Sequence, residues 1–347
     1  MLSKIKIEGV MTSKSIKKTK FLYEGPYSCV YYPSPTCNRV IDTIKKTETI
    51  DAVGKIILPK QGVYEWNYAK KLYRIDPLQK YFIYPLEMCE IKIQEKLRKC
   101  KQFEKNKVYN ILKIPHEKLS LIDTLVKRKD KITLTEFLPK LYHLIDGLSK
   151  LHKAKILHHD IKYNNILFSN GEYKWIDFGN SIAYKDIFNT AKNGYLYVDY
   201  IIHPPEYRYF SRYYYIDKGI ENAKVFAENE WYLLHYIITP LSIKNIEIYR
   251  HFNTFEQYQE YINELFLQLK NKNKQDIEQL FTSQASKIDI YAVGNMLIHI
   301  YPYIQIEPNE QTTQFYNLIK HMIHPNILQR YDIIQCKEYI QKMLKVL

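Results

Sequence analysis

Glycine is scarce in this chain, at 10 of 347 residues. A loop that needs several glycines to bring bare backbone against a ligand is therefore thinly supplied. Cysteine is also sparse: five, at 29, 37, 89, 100 and 336, with no CxxC spacing. The odd number and the spacing argue against a zinc site or a disulfide framework and leave a reducing compartment as the expectation. No run of about 18 apolar residues occurs, so no membrane-spanning helix is expected. Residues 1–20 read as a basic lead-in, with Lys4, Lys6, Lys14, Lys17, Lys18 and Lys20 but no apolar stretch after them, unlike a secretory signal. The expected location is intracellular and soluble.

Positive charge is in excess. Lys and Arg number 51 against 37 Asp and Glu, a net charge of +14. Nucleic acid or an anionic surface could exploit it. Abundant Lys, Ile, Asn and Tyr (33 tyrosines) beside little glycine match an AT-rich coding bias, which accounts for the charge more simply. A nucleic-acid partner is not expected. The length suffices for two lobes with a sizeable core.

The first third reads as mainly β. Phe21 to Tyr23, Cys29 to Tyr32, Ala52 to Leu58, Tyr81 to Tyr84 and Val108 to Leu112 are strand-like, with one helix from Glu65 to Tyr73. Ile91 to Lys105 reads as a charged helix or a solvated insertion. Leu134 to Lys153 carries Phe137, Leu138, Leu141, Leu144, Ile145, Leu148 and Leu151 on one face of an amphipathic helix. Asn170-Gly171 is a two-residue turn signal between Ile166-Leu167-Phe168 and Tyr173 to Ile176, which predicts a hairpin. Phe255 to Lys270 predicts a further helix.

The chemistry concentrates in His158-His159-Asp160-Ile161-Lys162-Tyr163-Asn164-Asn165 and in Trp175-Ile176-Asp177-Phe178-Gly179. Asp160 can accept or orient the proton of an attacking hydroxyl, and Lys162 can neutralise a transferring phosphoryl group. Asn165 and Asp177 offer oxygen ligands to Mg²⁺. Asp160 and Asp177 lie 17 residues apart. In these motifs the chain resembles the eukaryotic-type Ser/Thr protein kinases, whose catalytic loop and metal triplet read HRDxKxxN and DFG. Its glycine losses and composition resemble the divergent kinases of large DNA viruses. That origin would place it in the host cytoplasm or the virion.

The resemblance implies an α+β, two-lobed fold: a β-rich nucleotide lobe over 21–115 and a mainly helical lobe over 116–347. It implies ATP and Mg²⁺ as cofactors, with Mn²⁺ as a substitute, and a protein bearing Ser or Thr as partner. Gly25 and Ser28 fall at two of the three glycine positions of the phosphate loop, Tyr27 at its tip and Val30 at its valine. Val53 and Leu167 would enclose the adenine. Lys55 would pair with the phosphates, with Lys60 as competitor, and Glu65 would be its acidic partner. His158, Phe178 and Gly179 support the two motifs. His159 replaces the arginine that receives an activation-loop phosphate, which weakens the case for activation by phosphorylation.

Further resemblances lie downstream. His203-Pro204-Pro205-Glu206 resembles the APE end of the activation segment, and Asp289-Ile290-Tyr291-Ala292-Val293-Gly294 the start of the central helix. Asp289 would hold the catalytic-loop backbone, and Arg330 would pair with Glu206. The 83 residues from Glu206 to Asp289 imply an insertion within 207–285, a place where a partner could dock. The implied activity is ATP-dependent phosphorylation of protein Ser/Thr. The alternatives are a pseudokinase binding module and a small-molecule phosphotransferase of the aminoglycoside or choline kinase type.

Overall fold

A computed structural model describes residues 19–25, 27–45, 51–93, 100–101, 103–117, 119–127, 131–192, 203–208, 225, 227–228, 254–270 and 272–345. The fold is α+β. The chain divides into two compact units: Met1–Gly62 with Pro85–His116, and Val63–Tyr84 with Glu117–Leu347.

The first unit is a six-stranded antiparallel sheet. Its strands are β1 (Lys20–Glu24), β2 (Ser28–Tyr32), β3 (Arg39–Thr43), β4 (Ala52–Ile57), β5 (Glu87–Lys92) and β6 (Val108–Pro115), in spatial order β1-β2-β4-β6-β5-β3. Alternation sets the buried face: Cys29 and Tyr31 on β2, Cys89 and Ile91 on β5, Tyr109 and Ile111 on β6 share one apolar cluster. Two strands differ from the sequence reading. β3 is not among the expected strands, because an edge strand with Arg39, Asp42 and Thr43 shows no apolar alternation. Ile91 and Lys92 belong to β5, not to a helix.

The cysteines also correct an expectation. Cys29 is bonded to Cys100 and Cys37 to Cys89, with Cα separations of 6.1 and 5.8 Å. The partners lie 71 and 52 residues apart in sequence. Only the sheet brings them together, so spacing alone could not reveal the pairs. Cys336 is free and buried.

The second unit is mostly helical. It contains all but the first turn of α1 (Pro59–Ile75), then α2 (Leu121–Val126), α3 (Leu134–Lys153), α4 (Ile187–Lys192) and α5 (Pro205–Arg208). α6 (Phe255–Leu269), α7 (Lys274–Ser283), α8 (Ser286–Ile300), α9 (Glu310–Met322) and α10 (Ile333–Leu344) follow. α3 buries the predicted stripe, and a capping box of Thr133 with Glu136 fixes its start. Short strands frame the loops: β7 (Leu119–Ser120), β8 (Ile132–Thr133), β9 (Ile156–Leu157), β10 (Ile166–Ser169), β11 (Glu172–Trp175), β12 (Ile182–Ala183) and β13 (Ile304–Gln305). The β10–β11 hairpin turns at Asn170 (φ 52°) and Gly171 (φ 84°), as Asn-Gly predicts.

Tyr81 to Tyr84 does not form a strand. The Asp76 carboxylate accepts the backbone N–H groups of Lys80, Tyr81 and Phe82, and only a single bridge joins Phe82 to Trp175. In the expected insertion, α6 and α7 bury Tyr258, Ile262, Leu265, Phe266, Ile277 and Phe281 in one cluster with Tyr207 and Ile288. Residues 1–18 and the greater part of 207–253 lie outside the described residues. No described helix is long and apolar enough to cross a membrane.

Candidate active site

Two strand pairs hold the site together. β9 pairs with β12, and β10 with β11, so the loop 158–165 and the loop 176–181 leave adjacent strands side by side. Ile176 N–H donates to Asn165 O (3.0 Å), and Ser181 Oγ donates to His158 O (3.2 Å). His158 Nε2–H donates to Ile176 O (3.0 Å), leaving Nδ1 to accept Asp160 N–H (3.3 Å). Burial holds the His158 imidazole below its usual pKa, in keeping with this neutral tautomer.

Asp160 is buried, and its carboxylate is surrounded by donors. Lys162 Nζ lies 3.0 and 3.1 Å from its two oxygens. Asn165 Nδ2 donates to Oδ2 (3.0 Å) and to the Asp160 carbonyl (2.8 Å), and Asn180 Nδ2 donates to Oδ2 (3.3 Å). Because the Asn165 nitrogen is committed to Asp160, its oxygen is the atom left for a cation. Asp177 sits in the left-handed region (φ 62°), as does His159 (φ 64°). Such backbone is costly for non-glycine residues and persists where surroundings fix it.

The fixing group at His159 is Asp289, at the start of α8. Its Oδ2 accepts His158 N–H (2.8 Å) and its Oδ1 accepts His159 N–H (3.0 Å), while His152 Nε2–H donates to Oδ2 (2.9 Å). Burial disfavours its charge, but the His152 hydrogen bond and the surrounding donors outweigh that and hold the carboxyl below the usual range. His159 Nδ1–H donates to Asn180 O (3.2 Å), so Nε2 accepts from the Tyr207 hydroxyl (3.0 Å). His203 stacks on the His159 ring at 4.6 Å. An uncharged imidazole thus links the loop to α5, at the position where the resemblance expects arginine. Burial keeps His159 below its usual pKa.

Glu206 and Arg330 meet 124 residues apart in sequence. Arg330 Nη1 and Nη2 donate to the two Glu206 oxygens at 2.6 and 3.1 Å. The remaining three N–H groups reach the carbonyls of His324, Lys287 and Pro325. All five guanidinium donors are satisfied, which offsets the cost of burying the charge.

A family model described as "Protein kinase domain" matches residues 88–339. The chain belongs to the protein kinase family. Its similarity to curated relatives is local. It is 35% identical over 83 residues to cyclin-dependent kinase 11.1 of Caenorhabditis elegans, covering 23% of this chain and 12% of the relative. It is 36% identical over 83 residues to probable cyclin-dependent kinase 9 of the same organism, covering 22% and 17%. It is 35% identical over 81 residues to cyclin-dependent kinase G1 of Arabidopsis thaliana, covering 23% and 13%. The chain thus spans well under a fifth of the length of these relatives.

In the first unit, the β1–β2 hairpin carries Gly25, Tyr27, Ser28 and Val30. Gly25 N–H donates to Ser28 O (2.8 Å), closing the turn, and Tyr27 is exposed at its tip. Lys55 lies mid-strand on β4, opposite Val30, and is only 9% exposed, whereas Lys60 is exposed in the first turn of α1. Val53 is half-buried on the same strand.

In the second unit, Glu65 is buried on α1, and its Oε2 lies 3.1 Å from where a Cβ on Gly179 would stand. Asp177 Oδ1 lies 3.4 Å from the same point, so glycine there lets two carboxylates approach the turn. Phe178 is buried against Phe82 and His158. Leu167 is half-buried on β10. Sequence reasoning missed Asn180, His152, His203 and Tyr207. Asn180 alone had a local signal, as a polar residue directly after Asp177-Phe178-Gly179.

Proposed function

We propose that this kinase transfers the γ-phosphate of ATP to Ser or Thr hydroxyls of a protein substrate. The observation that carries the reading is the Asp160 carboxylate held among Lys162, Asn165 and Asn180. Asp160 orients the substrate hydroxyl and takes its proton. Lys162, a third exposed, turns from Asp160 to the charge developing on the phosphoryl oxygens. The donor set, one amide oxygen and one carboxylate, suits a hard cation such as Mg²⁺ or Mn²⁺ that keeps phosphate and water as its other ligands. Asn165 and Asp177 would hold it, and it would neutralise phosphate charge. Gly25, Tyr27, Ser28, Val30, Val53 and Leu167 serve the nucleotide, Lys55 serves its phosphates, and Glu65 is the acidic partner the resemblance implies for that lysine.

Lys162 and the Glu206–Arg330 pair favour a protein substrate over a small alcohol, and the neutral His159 link favours activity without activation-segment phosphorylation. The divergent, virus-like ancestry, the intracellular location and partner docking on 207–285 belong to the same reading. The test is phosphate transfer to casein and myelin basic protein, with small alcohols in parallel. Asp160→Asn should lower kcat by roughly 10²–10⁴-fold. Asp177→Ala should abolish transfer. Activity unmoved by both substitutions, or confined to the alcohols, would overturn the reading.

A further inference from the structure

Four of the five cysteines are paired, and each bond ties a strand next to an outer strand of the sheet to a segment outside the strands. Cys29 stands on β2, beside edge strand β1, and Cys89 on β5, beside edge strand β3. The Cys100–Lys101 segment grips the β1–β2 hairpin three times. Cys100 is bonded to Cys29, its backbone is hydrogen-bonded to the Tyr31 hydroxyl, and Lys101 N–H donates to Glu24 Oε1 (3.0 Å). Cys29 lies between Ser28 and Val30, so the bond anchors the strand that presents the proposed phosphate-facing residues. A hairpin with one glycine in place of three is fixed from behind by this brace.

We propose that these cysteines form a functional disulfide site, in which Cys29–Cys100 fixes the nucleotide hairpin and Cys37–Cys89 is the more readily reduced member. Each bond forms by exchange with a disulfide oxidant. Two thiols lose two protons and two electrons, and the oxidant's S–S bond becomes two thiols. Burial ranks the pairs. Cys29 and Cys100 are 0% and 3% exposed, out of reach of a reductant until the sheet opens, whereas Cys37 is partly exposed.

Charged groups flank the second pair. Glu87 Oε1 lies 3.9 and 3.8 Å from the sulfurs of Cys37 and Cys89. That oxygen is also paired with Lys113 Nζ (2.5 Å), which offsets the carboxylate's effect on a thiolate. Glu24 with Cys29 and Cys100, and Glu87 with Cys37 and Cys89, also form ligand groups, but each offers three atoms, one fewer than structural zinc takes. The two bonds run contrary to the expectation from cysteine spacing.

The hairpin role rests on the nucleotide reading, while the bonds themselves are tested without it. The full chain is purified without reductant, then denatured in N-ethylmaleimide and weighed. One labelled cysteine, Cys336, and peptides linking 29 to 100 and 37 to 89 are expected. Five labelled cysteines after refolding in a glutathione redox buffer, or bound zinc in place of the links, would overturn the site. Graded dithiothreitol should open Cys37–Cys89 first; the reverse order would overturn the assigned roles. Removing Cys29–Cys100 by Cys29→Ala with Cys100→Ala should lower the melting temperature on the order of 10 °C. It should also raise the Kd for Mg-ATP several-fold. Should that variant not fold, full reduction of the wild-type chain gives the same two readouts. An unchanged melting temperature and Kd would sink the bracing role. A chain with both links that binds no nucleotide would sink the proposed function and leave the disulfides standing.

Discussion

The two units solve the same problem with different materials. The sheet unit is held by an apolar cluster and two covalent links, and its buried polar groups are few. The helical unit encloses charge: Asp289 under three donors and Arg330 with five acceptors. A small sheet with two open edges gains most from cross-links that limit the unfolded chain. A large unit can bury and satisfy polar groups, and so fix a loop at atomic precision. The units should therefore fail under different insults, the sheet under reductant and the helical unit under loss of a charge or a proton balance. Trp66 and Trp175 are both fully buried in the helical unit, so with the third tryptophan, Trp231, replaced by Phe, fluorescence reports that unit.

The largest effect should come from Arg330→Ala. It strands Glu206 in a buried site and should cost about 3–5 kcal/mol. Tryptophan fluorescence should show the loss in urea, while the dithiothreitol sensitivity of the sheet stays as it was. Arg330→Lys keeps the charge without the fork and should recover only part of the stability. Full stability in both variants would break the contrast.

Acid comes next. Burial lowers the pKa of His158 and His159, and burial with nearby Arg330 lowers His324 to about 4; all three lie in the helical unit. Each is neutral when folded and takes a proton near its ordinary pKa of 6.5 when unfolded. Stability from these groups is complete above pH 6.5 and falls as the pH drops towards their folded values. The slope for any one histidine cannot exceed about 1.4 kcal/mol per pH unit, and it applies only between its unfolded and folded values. Urea midpoints followed by fluorescence from pH 7.5 to 5 should decline through that window. A flat profile would mean that the imidazoles protonate in place.

The smallest effect should come from Tyr207→Phe. It removes the hydroxyl that donates to His159 Nε2 and should cost about 0.5–1.5 kcal/mol. The kcat should fall more than the KM for ATP changes, because the catalytic loop is disturbed and the sheet is not. Equal changes in both would place the effect elsewhere.

What could be read from the sequence follows the same division. Asp160, Lys162, Asn165 and Asp177 were legible as a candidate site because the proposed phosphoryl transfer calls for those residue types at short, fixed spacings. The α3 stripe and the Asn170-Gly171 turn were legible because period and φ are local properties. Cys29 with Cys100 and His159 with Tyr207 were not, because their partners are set by sheet order and helix placement, which leave no local mark. β3 was invisible because an edge strand has no buried face to impose alternation on Arg39 to Thr43.

Helix α8 has thirteen of its fifteen residues buried. An amide in such a helix meets solvent only when the surrounding unit opens, so its hydrogen exchanges at the slowest rate the unit allows. Asp289 extends that protection to the backbone N–H groups of His158 and His159, which lie in a loop. In deuterated buffer those two amides should keep their protons as long as α8 does, while neighbouring loop amides lose theirs early.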